Sequence, residues 1–177
     1  FNEGALSIID VETIDRVDLL TGGFPAHYGD KRSGAMSISS REPKEDGTHL
    51  SIGASFVNAR ALAEGTFAGR KGSWLLSGRR GFVDLLLGII NKKETKAPTY
   101  EDFFGTVRYK VHPNHVMALN VLHAADRYRF SIAGTTGFND SIPTRETANN
   151  GYGNSYAWVT LRSLVGTHLA VKTLASA

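Results

Sequence analysis

The chain has 177 residues, long enough for a globular core, and its 20 basic against 17 acidic residues leave a formal charge of only +3. A surplus so small and dispersed does not argue for nucleic acid, and the absence of cysteine excludes disulfides and thiolate metal sites. No apolar stretch approaches the ~20 residues of a membrane helix, although strands that cross a bilayer by alternation escape such a count.

The first residues carry weak signals. Ala5-Leu6-Ser7-Ile8-Ile9 reads as a buried strand, and Asp10 as the cap of a short helical turn through Glu12 and Asp15, since acids suit a helix start. Next comes an alternating run, Arg16-Val17-Asp18-Leu19-Leu20, and the pair Gly22-Gly23. An aromatic turn (Phe24-Pro25-Ala26-His27-Tyr28-Gly29) and a charged tip (Asp30-Lys31-Arg32) lead through Ser33-Gly34 into a second alternating run, Ala35-Met36-Ser37-Ile38-Ser39. Physically this is strand, tight loop, strand: glycine permits close backbone approach and Pro25 fixes one φ. Pattern alone fits an ordinary loop between two strands of any α+β domain. No Gly-Lys-Ser/Thr follows Gly22-Gly23, so it is not a phosphate loop.

Arg41-Glu42-Pro43-Lys44-Glu45-Asp46-Gly47 is a charge run that reads as a solvated turn. The composition shifts here, and period-two segments follow. Apolar Leu50, Ile52, Ala54 and Phe56 alternate with small or polar residues, as do Ala61, Ala63, Gly65 and Phe67, then Trp74, Leu76 and Gly78. The pattern returns in Phe103, Gly105, Val107, Tyr109 and Val111, in Met117, Leu119 and Val121, in Ala157, Val159 and Leu161, and in a seventh run from near His168. Alternation sends successive side chains to opposite faces of a sheet. The polar face would carry Arg60, Glu64, Arg79, Arg108, Lys110 and Arg162.

Short turns are expected at Asn58-Ala59, Arg70-Lys71-Gly72, His112-Pro113-Asn114-His115 and Val165-Gly166-Thr167, and long links over 81–99 and 131–150. The first long link has apolar residues at 82, 85, 86, 89 and 90 with a basic last turn, which predicts a short helix. The second, rich in Gly, Thr, Asn and Ser, reads as a mobile loop. Counted along an antiparallel meander, both long links fall at one end and only short links at the other, the asymmetry of outer-membrane barrels. A soluble β-sandwich also shows alternating strands and frequent turns, and periodicity does not separate the two.

Candidate chemistry is sparse. His112 and His115 flank a Pro-Asn turn, and His123 lies on the next strand with Asp126; a metal needs ligands converging within ~2–2.5 Å, and turn residues are the simpler reading. No nucleophile pairs with a base, so neither a catalytic site nor a metal or cofactor is expected.

The stretch over 14–43 resembles the end of the plug domain of TonB-dependent outer-membrane receptors. The family pattern is a run like Asp15-Arg16-Val17-Asp18-Leu19-Leu20, a glycine pair, then Pro25-Ala26-His27-Tyr28-Gly29, Ser33-Gly34, and a strand ending Ile38-Ser39-Ser40-Arg41. The form is most similar to receptors carrying a carboxypeptidase-regulatory-like domain in front. Thr21 stands where many members have Arg, so no contact is carried over to that position. The resemblance implies an all-β fold: an antiparallel transmembrane β-barrel, here about seven strands over 47–177, preceded by the C-terminal part of a small α/β plug domain over 1–46. Family barrels have about 22 strands, so the chain reads as an internal fragment.

The resemblance further implies energised uptake of a scarce nutrient (an iron chelate, cobalamin or a glycan) across the cell outer membrane. The inner-membrane TonB complex would act through a segment before Phe1. Phe24, His27, Tyr28, Asp30, Lys31 and Arg32 would face substrate, and Arg60, Glu64, Arg79, Arg108, Lys110 and Arg162 would line the lumen. Partners are then outer-membrane lipid, the TonB complex and a small nutrient, with no nucleic acid. The competing class is a soluble all-β binding or adhesion module, with Trp74, Trp158 and Tyr128 as contact aromatics.

Overall fold

The computed structural model of the chain describes residues 9–23, 34–56, 58–82, 99–136, 142–166 and 169–177, with only the backbone given for 128–149. The described residues form nine strands and one 3₁₀ turn, with no α-helix among them. Asp10 caps the turn Val11–Thr13, its side chain accepting from the Glu12 amide, as expected, but the turn stops short of Asp15, which lies in the first strand. Strands β1 (Ile14–Leu20) and β2 (Ala35–Ser40) pair antiparallel as a separate hairpin.

The remaining seven strands are β3 (His49–Ala54), β4 (Asn58–Phe67), β5 (Gly72–Gly81), β6 (Thr99–His112), β7 (His115–Thr136), β8 (Ile142–Val165) and β9 (Leu169–Ser176). Each pairs antiparallel with its sequence neighbours in one open meander. One ladder row crosses the whole sheet: His49, Glu64, Leu75, Thr106, Asn120, Trp158 and Ser176. Register fixes which side chains share a face.

The two faces differ in chemistry. Leu50, Ile52, Leu76, Val107, Leu119, Val159 and Leu161 lie on one face and are exposed, Ile52 at 76 % and Leu119 at 48 %. Among the described residues nothing covers this face. The opposite face carries the charged and hydroxyl side chains, and Asp10, Glu12, Arg41, Glu42, Lys44 and Glu45 lie against it. Leu62, Leu75 and Phe104 are buried there, but so are Glu64, Ser77, Asp102, Thr106, Asn120 and Asp126. The sheet therefore buries its polar side and exposes its apolar side, the reverse of a soluble core.

Several expectations shift. The first turn falls earlier than Asn58-Ala59: Ala54 pairs with Ala59, and the Ser55 amide donates to the Asn58 carbonyl at 2.8 Å. The next turn spans 68–71, with Ala68, Gly69 and Arg70 all at positive φ. The loop expected over 131–150 is largely a continued hairpin, with β7 and β8 paired out to Thr136 and Ile142. Its Gly, Thr and Asn content suggested a loop, yet ladder hydrogen bonds need no apolar side chain and override weak propensity. The helix expected within 82–93 lies outside the described residues, apart from Phe82. In this meander the strand ends that lead from β3 to β4, β5 to β6 and β7 to β8 share one end of the sheet, and those that lead from β4 to β5, β6 to β7 and β8 to β9 share the other.

Candidate functional site

The polar face becomes a site because one short segment turns its charges onto it. After β2, Arg41 donates its amide to the Thr13 carbonyl and its Nε to the Glu12 carbonyl, both at 2.8 Å. This leaves the rest of the guanidinium aimed at β4, where it grips both carboxylate oxygens of Glu64 at 2.8 and 2.9 Å. The Lys44 amide adds a third donor to Glu64 at 2.9 Å. A fork-to-fork arginine–carboxylate pair of this kind fixes orientation as well as distance.

The neighbouring pairs repeat the pattern. Glu12 meets Arg60 on β4, and Ser77 on β5 donates to the Asp10 carboxylate at 2.9 Å. Beyond the hairpin, Glu42 Oε1 takes Arg108 on β6 at 2.6 Å and Arg162 on β8 at 3.2 Å. Glu45 takes Lys110 Nζ at 2.9 Å. Burial pushes the Glu42 carboxyl upward, but the two guanidiniums outweigh it and hold the group below its ordinary 4.5. The Asp46 carboxyl is also lowered, first by its 2.7 Å hydrogen bond with His49.

All six polar-face residues predicted from alternation, Arg60, Glu64, Arg79, Arg108, Lys110 and Arg162, share the covered face. Five of them meet residues 12–45; Arg79 instead holds Asp102 on the adjacent strand at 2.7 Å. Sequence reasoning missed the other halves, Glu12, Arg41, Glu42, Glu45 and Asp102, and the Asp10–Ser77 contact beside them. Charge complementarity between the run at 41–46 and the basic strand positions was the available signal. By itself the run fits a solvated turn, because long-range register is needed to bring the two together.

Two cavities lie under this segment. One, of about 380 Å³, separates β2 from the sheet and is lined by Ser37, Ser39, Thr106, Asn120, Trp158 and Thr160, among others. The second, of about 530 Å³, opens toward the short-turn end beside Glu42 and Glu45. Trp158 packs near Phe104, ring centroids 6.3 Å apart, whereas Trp74 is on the opposite face and the Tyr128 side chain lies outside those described. The three aromatics do not form one described surface.

His112 and His115 face each other across the turn with ring centroids 5.5 Å apart. His123 contacts Ser155 at 2.8 Å, while Asp126 accepts from Tyr152 at 2.6 Å on the other face. Among the described residues no group of three or more potential metal ligands converges. Phe24, His27, Tyr28, Asp30, Lys31 and Arg32, expected to face substrate, lie outside the described residues. Searches with the chain against protein-family models, curated proteins and solved structures returned no significant match.

Proposed function

We propose that the chain is the end of the plug and the first seven barrel strands of a TonB-dependent outer-membrane receptor, which imports a scarce nutrient using energy relayed from the inner membrane. The observation that carries this reading is the inverted polarity of the seven-stranded sheet. A continuous exposed face of Leu, Ile, Val and Phe suits lipid tails, while charges of the opposite face pair with the segment lying on it. A sandwich would bury the apolar face against a second sheet. The meander also leaves β3 and β9 as open edges, which further strands of a closed barrel would pair.

In this reading residues 1–46 belong to the plug, with Arg41, Glu42 and Glu45 facing the barrel wall, and the run at 41–47 is the linker to the first barrel strand. The nutrient class stays within iron chelates, cobalamin and glycans, as the resemblance implies. Fractionation of the full-length protein with heat-modifiable gel mobility tests it. Recovery in the outer membrane with a shift on boiling is the expected result. Recovery as a soluble protein overturns it in favour of an all-β binding or adhesion module.

A further inference from the structure

The linker's two pairing sites differ in kind. Glu64 is 2 % exposed and fully engaged by Arg41, so that pair is an anchor. Glu42 is 61 % exposed and meets two arginines through a single oxygen. Those arginines stand two strands apart, on β6 and β8, and converge on one point. Beside them Lys172 sits opposite Arg162 in the ladder, and among the described residues it has no charged partner. The 530 Å³ cavity around this point is lined by six cations, Arg70, Lys71, Arg108, Lys110, Arg162 and Lys172, against two carboxylates, Glu42 and Glu45. Such an excess in a walled recess attracts anions. Two guanidinium forks with a nearby ammonium match a group bearing several oxygens better than they match one carboxylate oxygen.

We infer that Arg108 and Arg162 form an anion site in which Glu42 is an internal stand-in, and that a phosphate- or carboxylate-bearing solute takes this site when the linker is displaced. The geometry of the site stands on the contacts themselves; its place on a transport path rests on the receptor reading above. An anion and Glu42 would compete for the same guanidinium hydrogens, so solute occupancy and linker attachment exclude each other. The site therefore favours an anionic cargo over a neutral one.

The test uses the purified full-length protein and inorganic phosphate as probe, followed by calorimetry and by phosphate-dependent thermal shift. Glu42→Ala, which vacates the site, and the isosteric Glu42→Gln, which removes the competing negative charge, should each bind phosphate at least about tenfold more tightly than the wild type. Adding Arg162→Ala or Arg108→Ala to either should abolish the gain. Anionic phospholipid in the micelles should leave the phosphate affinity unchanged if the site takes a dissolved anion; loss of affinity would overturn the solute assignment. Equal phosphate binding by wild type and Glu42→Gln, or a gain that survives Arg162→Ala, would overturn the site itself. Because the readout is phosphate affinity, a protein recovered as soluble but responding this way would keep the site and lose the receptor reading.

Discussion

Glu64, in the middle of β4, holds the guanidinium of Arg41 by two hydrogen bonds of 2.8 and 2.9 Å across 23 positions of sequence. The pair ties the end of the small hairpin to the large sheet, and its two members are unequal. Glu64 is almost fully buried, whereas Arg41 keeps about a quarter of its side chain in solvent, at 23 %. Removing the arginine therefore strands a charge that water cannot reach.

Arg41→Ala should destabilise the full-length protein by ~3–5 kcal/mol, the usual cost of orphaning one member of a buried pair. The Lys44 amide, which also donates to Glu64, should hold the loss toward the lower figure. Arg41→Ala/Glu64→Ala should be more stable than Arg41→Ala alone, since no charge is left stranded. Denaturant titration of the three variants checks the order; a double variant weaker than the single would mean that Glu64 has another role.

Acid should loosen the linker at Glu42. Its carboxyl is held below 4.5 by Arg108 and Arg162 despite the opposing effect of burial. A depressed folded-state pKa gives stability that is complete above the unfolded value and fades as pH falls through the lower folded value. Wild type should thus be more stable than Glu42→Gln above about pH 4.5, with the difference closing at lower pH. Unfolding temperatures of both proteins between pH 3 and 7 measure this. A difference that stays constant with pH would assign the loss to shape, not charge.

Charge placed on the apolar face separates lipid from water as its surroundings. Leu119 shares a ladder row with Val107, Val159 and Ala175, deeper in the sheet than Leu169, which begins β9 near the short-turn end. In a bilayer, Leu119→Arg should cost ~2–4 kcal/mol and Leu169→Arg ~0–1 kcal/mol, following depth. In water both side chains are already exposed and each change should fall within about 0.5 kcal/mol. Refolding yields into vesicles, compared for the two variants, distinguish the cases.

The strands were legible because alternation needs no partner to be seen: Phe103 to Val111 and Ala157 to Leu161 announce a two-faced sheet by themselves. Their true lengths were not. Residues 131–136 and 142–150 belong to β7 and β8 through backbone pairing that their composition conceals. The cations of the site could be picked out by the same alternation. Their acidic partners could not, because Glu42 reaches Arg162 only when 120 positions of chain have been folded into register. Local periodicity reports a face; the identity of what lies against it is a long-range fact.

At the opposite end of the sheet, the Tyr100 ring lies across Gly81. A Cβ on Gly81 would collide with the ring's Cε1 and Cδ1. Tyr100 is buried, its hydroxyl accepts from Asn58 Nδ2 at 3.0 Å, and the Arg79 guanidinium sits 5.1 Å from the ring centre. The ring thus spans the gap that glycine leaves and joins β4, β5 and β6 on the covered face, a known use of an aromatic beside a strand glycine. Gly81→Ala must push the ring aside, at ~1–3 kcal/mol for overpacking. In a Tyr100→Ala background the obstruction is absent, and the same substitution should become neutral or favourable, since glycine within a strand is itself weakening. Unfolding temperatures of the four proteins complete the cycle. A Gly81→Ala penalty that persists without the ring would place the strain in the backbone and refute the packing account.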